Sequence, residues 1–315
     1  MTKAITIIMD PIEKINVKKD STFALMLEAK RREWKIYYVT PKDVFVNAGM
    51  AYCQRRPIKV FDDAKHWFDL GETELSALHE TDMVFMRKDP PFDIDYIYLT
   101  YALELAEKQG TLVVNKPESL RDCNEKFFPM HFPQCCPETI ITSNIQHYHK
   151  FLEEHREIIC KPLHGMGGES VFYIEKESLN KNVIFETVTH HGSRMAIAQK
   201  YIPEIKTKGD KRIIMIHGQP IPYALARLPQ QGDIRGNLAA GGQGKGVELT
   251  ERDLWICDQV SKTLCDKGLY WVGLDVIGDY LTEINVTSPT CVRELDQQFK
   301  LNIAGTLLDA LSKIA

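Results

Sequence analysis

The segment Gly273–Glu294 constrains the fold more than any other stretch of the chain. An apolar run ends at Asp275, a Gly-Asp turn follows at positions 278 and 279, and an alternating run then includes Glu283 and Asn285. Two such runs around a Gly-Asp turn predict a β-hairpin. Because side chains two apart on a strand share a face, Glu283 and Asn285 project together, and Asp275 can join them from the neighbouring strand.

These three polar side chains predict a magnesium site. Two carboxylates and an amide oxygen form the hard-oxygen set that suits Mg²⁺, with phosphate and water as its remaining ligands. The alternative is the solvated face of a hairpin, and for an isolated Glu-x-Asn that is the better interpretation. The metal interpretation therefore depends on the other motifs of the chain.

Composition narrows the class of protein. With 315 residues, 44% hydrophobic and 26% charged, the chain is expected to form a globular protein of two or three lobes. A net charge of −4 gives no electrostatic footprint for nucleic acid. The sequence has neither an apolar run of ~20 residues nor a signal-peptide layout, so we expect a soluble cytoplasmic protein. The eight cysteines contain no CxxC pair and are expected to be reduced thiols.

The first 120 residues alternate predicted strands with predicted helices. Residues 4–9 form a near-continuous apolar run, which is typical of a strand buried on both faces of a parallel sheet. Asp20 begins a group of N-cap candidates for a helix that extends to about Arg32. The other predicted elements are strands at 35–39, 83–86 and 111–115, a hairpin around 47–49 and a helix at 96–108. This alternation predicts a parallel α/β lobe.

Two arginines are candidates for ligand contact by position. Arg87 follows the predicted strand 83–86, at the carboxyl end where parallel sheets usually hold ligands. Arg212 follows Gly209-Asp210 and opens a predicted strand at 213–216, so it can point at a transferring phosphoryl group. On position alone, Arg87 could equally form a surface salt bridge instead of contacting a ligand. Arg212 could equally belong to an ordinary turn.

A lysine leads into a glycine-rich loop in the middle of the chain. Lys161 belongs to a predicted strand at 158–163, the loop covers 164–170, and a strand resumes at 171–174. Glycines let backbone N–H groups close over phosphates without side-chain obstruction. The spacing matches neither a Walker loop nor a Rossmann fingerprint. A tight hairpin is the commoner explanation of the glycines alone, but the lysine favours a phosphate site.

The C-terminal third contains a long loop between predicted strands and helices. Residues 230–244 are small and glycine-rich, which is typical of a lid or a binding loop. A strand is predicted from 196 until a proline at 203, and helices are predicted at 249–267 and 306–314.

Taken together, these motifs resemble the ATP-grasp fold and, more narrowly, bacterial-type glutathione synthetases over essentially the full length. The matching stretches are MDPIEKINVKKDSTFA (9–24), MRKDPPFD (86–93), NKPESLRDCNEK (115–126), KPLHGMGGES (161–170), GDKR (209–212), RGNLAAGG (235–242) and VGLDVIGDYLTEINVTSPTCVRE (272–294). Several are long enough to make chance implausible. MRKDPPFD and NVTSPT separate the chain from D-alanine–D-alanine ligases.

The resemblance implies an architecture and a reaction. The fold class is α/β, with an N-terminal parallel α/β lobe (1–122), a central ATP-grasp lobe (123–202) and a C-terminal ATP-grasp lobe (203–315). The implied reaction joins γ-glutamylcysteine to glycine, with ATP cleaved to ADP and phosphate through an acyl phosphate. The family also implies two Mg²⁺ ions per site, with Mn²⁺ as an alternative metal, and a homotetramer.

The resemblance further implies a role for individual residues. Lys126, Lys161 and the loop residues Gly165, Met166, Gly167 and Gly168 match the phosphate contacts of the nucleotide. Gln199, Tyr201 and Ile202 match the adenine site, and Asp210 the ribose contact. Asp275, Glu283 and Asn285 match the metal ligands, and Arg212 and Arg235 the catalytic cations. Ser288, Pro289, Thr290 and Arg293, with Arg87 as a further candidate, match the dipeptide site.

Two stretches depart from the family, and two other functions stay open. The family loop commonly reads Asp-Gly-Met-Gly-Gly-Ala, whereas His164 and Glu169 occupy its ends here. Residues 128–137, with two adjacent cysteines, also follow the family poorly.

A ligase for a related dipeptide or amine is one alternative function, because a pocket discriminates a methylene by only ~1–3 kcal/mol. A catalytically silent nucleotide-binding module is the other.

Overall fold

Three β-sheets follow one another along the chain, and helices pack against them. The computed structural model describes residues 2–165, 168, 170–230, 236 and 243–314. Within these residues, no helix combines the length and apolar character that a membrane crossing requires. The predicted divisions at 122/123 and 202/203 fall between consecutive sheets, and the domain boundaries themselves stay a prediction.

The first sheet is mixed, with a parallel centre. Its strands are β1 (Ala4–Ile8), β2 (Lys35–Val39), β3 (Val44–Asn47), β4 (Met50–Val60), β5 (Phe68–Leu70), β6 (Glu74–Ala77), β7 (Met83–Met86) and β8 (Leu112–Val114). The strand order is β3-β4-β2-β1-β7-β8, and β5 and β6 also pair with β4. As the alternation predicted, β1 runs parallel to β2 and β7, and β7 to β8. The antiparallel partners of β4 include β3, which completes the hairpin predicted around residues 47–49.

Three helices flank this sheet: α1 (Ser21–Arg31), α2 (Ile94–Glu107) and α3 (Pro117–Asp122). The carboxylate of Asp20 accepts a hydrogen bond from the backbone N–H of Phe23, and Asp93 accepts one from Tyr96. Such caps satisfy N–H groups that have no partner inside the helix. The first cap was predicted. The second explains why α2 begins two residues before its predicted start.

The second sheet is antiparallel and belongs to the central lobe. Its strands are β9 (Thr139–Thr142), β10 (Glu157–Pro162), β11 (Phe172–Glu175) and β12 (Ala196–Lys200), in the order β11-β10-β12-β9. Two helices, α4 (Ile145–His155) and α5 (Lys181–Val188), accompany it. The sequence analysis predicted β10, β11 and β12 but neither β9 nor these two helices.

The third sheet is antiparallel and includes the predicted hairpin. Its strands are β13 (Asp210–Ile216), β14 (Gln219–Leu228), β15 (Gln243–Glu248), β16 (Trp271–Ile277) and β17 (Tyr280–Asn285), in the order β15-β14-β13-β16-β17. Its helices are α6 (Ile205–Lys208), α7 (Glu251–Asp266), α8 (Val292–Phe299) and α9 (Ile303–Leu311). Helix α7 starts with a capping box between Thr250 and Asp253, near the predicted start. Helix α8 was not predicted, and most of the predicted loop 230–244 lies outside the described residues.

The apolar cores are distributed unevenly over the three sheets. Two of the cores contain residues of both the first and the third sheet. One includes Met86 and Leu274, and the other includes Phe85 and Trp271. A third core, around Tyr148, draws its described members only from residues 140–198, which belong to the central lobe. The first and third sheets are therefore joined by shared apolar packing, whereas the second sheet and its helices have a core of their own.

Candidate active site

A cavity of about 300 Å³ opens where the three lobes meet. The central lobe provides Lys126, Lys161, Gly165, Gly168, Gln199, Tyr201 and Ile202; the third sheet and its following turn provide Asp210, Arg212, Asp275, Glu283, Asn285, Ser288 and Thr290. All of these residues were site candidates in the sequence. Asp89 and Pro90 line it from the first lobe. The fold thus brings together residues that lie up to 202 positions apart, between Asp89 and Cys291.

Four residues form what we call the lysine cluster: Glu125, Lys126, Lys161 and Glu283. The ammonium of Lys161 donates to Glu283 Oε1 at 2.8 Å, and Lys126 Nζ lies 3.9 Å from the same oxygen. Lys126 also pairs with Glu125 and donates to the carbonyl of Gly165 at 2.9 Å. The two lysines are buried, so their charges point into the cavity rather than into bulk water.

Charge balance sets the protonation of this cluster. Burial disfavours the charged form of Lys126, but Glu283 and Glu125 together outweigh it and raise the pKa of Lys126. Burial also opposes ionisation of Glu283, and the ammonium groups of Lys126 and Lys161 nevertheless lower its pKa. For Glu125, burial and the charge of Glu283 raise the pKa. The cluster therefore holds two cations around one firmly ionised carboxylate.

Four further residues form the arginine cluster: Asp210, Arg212, Arg227 and Asp275. Arg212 donates twice to Asp275, from Nε to Oδ1 at 2.5 Å and from Nη2 to Oδ2 at 2.9 Å. Arg227 Nη2 lies 2.9 Å from Asp275 Oδ2 and also pairs with Asp210. Although burial opposes its ionisation, the two guanidinium groups hold the pKa of Asp275 well below its usual range. Such bidentate, charge-assisted pairs are strong and geometrically specific.

Arg227 was not predicted from the sequence. It lies on β14 directly opposite Asp210 of β13, so the sheet register places their side chains on one face. The one local indication in the sequence is that this arginine lies near the end of the otherwise apolar stretch Tyr223–Leu228. Whether the arginine belongs to a site depends on which strand pairs with β14.

The predicted metal ligands lie on one face of the hairpin. Asp275 and Glu283 are direct cross-strand partners, and Asn285 Nδ2 donates to Asp275 Oδ2 at 3.2 Å. Within the described residues there is no group of three or more His, Cys, Asp and Glu side chains that could hold a metal. Two carboxylates and one amide leave room in a ligand shell for phosphate and water, which fits Mg²⁺.

The nucleotide candidates lie at the central-lobe end of the cavity. Tyr201 and Ile202 are buried, and the ring of Tyr173 packs against that of Tyr201 with centroids 4.7 Å apart. Gln199 donates to the hydroxyl of Thr139 at 3.3 Å. Gly165 has a φ of +108° and Gly168 one of +84°, which glycine adopts without strain. Met166, Gly167 and Glu169 lie outside the described residues.

Asp210 lines the cavity, and its carboxylate is only partly hydrogen-bonded within the described part of the chain. Its Oδ1 atom is buried and has no hydrogen-bond partner among the described residues. Burial, together with the charges of Asp275 and Glu283, raises the pKa of Asp210 to about 6, despite the opposing effect of Arg227. A buried acceptor without a partner costs free energy unless a ligand donates to it.

The remaining substrate candidates have partners outside the cavity. Arg87 is buried, donates to the Thr22 hydroxyl and to the Pro289 carbonyl at 3.0 Å each, and stacks on Trp271. Arg293 pairs with Asp62 at 2.7 Å. Arg87, Pro289 and Arg293 are not among the residues that line the cavity, whereas Ser288 lines it and bonds to Asp89. Arg235 lies outside the described residues.

Comparison with known proteins identifies the family. The profile described as "Prokaryotic glutathione synthetase, N-terminal domain" matches residues 4–121, and "Prokaryotic glutathione synthetase, ATP-grasp domain" matches residues 125–300. The chain belongs to the prokaryotic glutathione synthetase family. Glutathione synthetase of Pseudomonas aeruginosa is 54% identical over 312 residues, covering 99% of this chain and 98% of the relative. That of Coxiella burnetii is 53% identical over 308 residues, covering 98% and 96%.

Solved structures agree with the family's fold. D-cycloserine synthetase DcsG superimposes with a TM-score of 0.68 at 13% identity, covering 98% of this chain and 99% of that one. The ATP-grasp ligase PsnB, complexed with the precursor peptide PsnA2 and AMPPNP, gives a TM-score of 0.62 at 14% identity, covering 98% and 97%. The ATP-grasp fold and the assignment as a ligase of the glutathione synthetase family, both inferred from the sequence motifs, are thereby confirmed.

Proposed function

We propose that this cavity performs ATP-dependent ligation of γ-glutamylcysteine to glycine, giving glutathione, ADP and phosphate. The observation that carries the proposal is the convergence of four buried cations and a hard-oxygen set around one cavity. The cysteinyl carboxylate of the dipeptide attacks the γ-phosphorus of ATP, and ADP leaves. The glycine amine then attacks the acyl carbon and phosphate leaves. Both steps gather negative charge on oxygens, which fixed cations stabilise.

The central lobe would bind the nucleotide. Lys126 and Lys161 line the cavity. We assign them to the phosphates, over which the glycine-rich loop would close. The apolar pocket beside Tyr201 and Ile202 fits adenine, and Gln199 borders it. Oδ1 of Asp210, which no described residue contacts by a hydrogen bond, is a suitable acceptor for a ribose hydroxyl.

The hairpin would hold the metal. We assign Asp275, Glu283 and Asn285 as ligands of Mg²⁺, two ions per site, with Mn²⁺ as an alternative. Bound there, the ions would neutralise charge on the β- and γ-phosphates. Lys126 and Lys161 keep Glu283 ionised before any metal binds.

The dipeptide would lie between the third sheet and the first lobe. We assign Arg212 and Arg235 to the charge of the transferring phosphoryl group, and add Arg227 because it shares a carboxylate with Arg212. Ser288, Pro289, Thr290, Arg293 and Arg87 are proposed to bind or shape the dipeptide site. By resemblance to the family, we also propose a cytoplasmic homotetramer.

The test is ADP release by the purified protein with ATP, Mg²⁺, γ-glutamylcysteine and glycine, each omitted in turn. We expect release to require all four components, with glutathione as the product. Equal turnover with another amine or dipeptide would replace this proposal with a related ligase. ATP binding without turnover would replace it with a silent nucleotide-binding module.

A further inference from the structure

The carboxylates that line the cavity differ in their partners. Within the described residues there are five of them: Asp89, Glu125, Asp210, Asp275 and Glu283. Four belong to the lysine and arginine clusters, and each of these pairs with a lysine or an arginine. Asp89 is the exception, because its one side-chain partner among the described residues is a neutral hydroxyl.

The contacts of Asp89 leave one of its oxygens available. Its Oδ1 accepts a hydrogen bond from the hydroxyl of Ser288, and its backbone N–H donates to Asp10 Oδ2 at 2.9 Å. No described residue donates to its Oδ2. Arg87 interacts with Asp89 electrostatically, but the hydrogen bonds of its guanidinium go to other residues. Asp89 can therefore accept a hydrogen bond from a ligand in the cavity.

Among the proposed substrates, the dipeptide has a charge that suits this oxygen. γ-Glutamylcysteine carries an α-ammonium at its γ-glutamyl end, away from the cysteinyl carboxylate that reacts. A carboxylate is the acceptor that gives an ammonium a strong, charge-assisted hydrogen bond. The four paired carboxylates are poor acceptors, because the neighbouring lysines and arginines would repel the ammonium. Ser288, to which Asp89 is bonded, also belongs to the proposed dipeptide site.

We propose that Asp89 accepts a hydrogen bond from the α-ammonium of the γ-glutamyl group and thereby selects dipeptides that carry this charge. The inference rests on the proposed function, because it takes γ-glutamylcysteine as the substrate. Asp89 belongs to the first lobe, whereas the arginine cluster belongs to the third sheet. The dipeptide would then extend from one to the other, with its reacting carboxylate at the arginine cluster and its ammonium at Asp89.

N-glutarylcysteine tests the assignment, because it differs from γ-glutamylcysteine only in lacking the α-ammonium. The measurement is calorimetric titration of each compound into the full-length protein saturated with β,γ-imido-ATP and Mg²⁺. We expect the wild type to bind γ-glutamylcysteine about tenfold more tightly, which is ~1.4 kcal/mol. Asp89 is exposed, so screening by water keeps the preference moderate.

Two variants separate the charge of Asp89 from its structural contact. Asp89→Asn should bind both compounds with equal affinity, close to that of the wild type for N-glutarylcysteine, because the amide oxygen can still accept from Ser288. Asp10→Asn is the matched control. Asp10 is a carboxylate next to Asp89 that is not among the residues that line the cavity, so the tenfold preference should remain.

Three results would overturn the inference. A preference that persists in Asp89→Asn would mean that another group binds the ammonium. An equal loss of affinity for both compounds would mean that Asp89 only supports the turn that contains Ser288. Glu294, on α8, has a buried Oε2 without a partner among the described residues and does not line the cavity. Loss of the preference in Glu294→Gln, with Asp89→Asn unchanged from the wild type, would assign the ammonium to α8.

A turnover assay distinguishes failure of this inference from failure of the proposed function. If the wild type forms glutathione but binds the two compounds equally, the inference falls and the proposed function stands. If the wild type neither binds γ-glutamylcysteine nor forms glutathione from it, both proposals fall.

Discussion

The arginine cluster and the lysine cluster border the same cavity, but different parts of the fold hold them together. The arginine cluster comes from three adjacent strands of one sheet, and its members face each other through the strand register. The lysine cluster comes from the segment after α3, from β10 in the central lobe and from β17 in the third sheet. One cluster is therefore formed within a sheet, and the other across two lobes with separate cores.

This difference indicates different roles. Side chains fixed by neighbouring strands are arranged before a ligand arrives. The arginine cluster should therefore stabilise the fold as well as contribute to the reaction. The lysine cluster depends on how the central lobe meets the third sheet. Ligands that bind between the two lobes should therefore act on the lysine cluster more than on the arginine cluster.

Removing Arg227 should give the largest effect on stability. Arg227→Met leaves Asp210 and Asp275 close together, with only Arg212 to compensate them, in a buried site. We expect the free energy of unfolding to fall by about 3–5 kcal/mol, as when one partner of a buried pair is removed. Urea unfolding measures it. Lys262→Met is the control, because its pair with Asp266 is exposed, and no measurable change is expected. A stable Arg227→Met protein would show that the arginine cluster is not part of the folding framework.

Removing Lys161 should affect activity more than stability. In Lys161→Met, Glu283 keeps Lys126 at 3.9 Å, so the carboxylate is not left without a cation. The charge opposite the transferred phosphoryl group is lost, and we expect kcat to fall by about 10²–10³. Steady-state kinetics and urea unfolding on the same preparation test both statements. A loss of stability as large as that of Arg227→Met would remove the distinction between the two clusters.

A glycine next to Arg212 tests how rigid the arginine cluster is. A Cβ atom on Gly273 would lie 2.8 Å from Arg212 Cδ and 3.2 Å from Pro289 Cβ. Gly273→Ala should displace Arg212 from Asp275, lower the free energy of unfolding by about 1–3 kcal/mol and reduce kcat/KM. Gly71→Ala is the matched control, since its Cβ would meet Pro57 at an ordinary 3.4 Å. An unchanged kcat/KM in Gly273→Ala would show that Arg212 tolerates displacement.

The two clusters were also predictable from the sequence to different degrees. The hairpin that presents Glu283 and Asn285 follows from local alternation around a Gly-Asp turn, and Lys161 is marked by the glycine loop after it. Arg227 is recognisable only from the pairing of β14 with β13, a contact that no local pattern specifies. The helices α4 and α5 were missed because α4 is polar, with three histidines, and α5 has only eight residues, so neither gives a long apolar pattern. The packing of Tyr148 against Phe185 joins them in the folded protein.

The smallest expected effect is the pH dependence contributed by Asp210. Burial raises its pKa in the folded protein to about 6, from an ordinary value of 3.8. Between these values the folded state binds more protons than the unfolded state, so stability falls as the pH rises. Asp210→Asn removes this contribution. Relative to the wild type, the variant should gain about 1–2 kcal/mol between pH 4.5 and 7.5.

The measurement is urea unfolding of the wild type and of Asp210→Asn at these two pH values. Subtracting one free energy of unfolding from the other cancels the contributions of the other titrating groups. Asp296→Asn is the comparison outside the cavity, because burial raises the pKa of Asp296 to about 6 as well. Saturating ATP with Mg²⁺ should shift the pH dependence of the wild-type stability, because Asp210 lies at the proposed ribose contact. The difference in stability between Asp296→Asn and the wild type should stay the same, because Asp296 does not lie at that contact. A difference between Asp210→Asn and the wild type that shrinks as the pH rises would mean that Arg227 keeps Asp210 ionised in the folded state below pH 6, so that the arginine cluster carries two full anionic charges already at the lower of the two pH values.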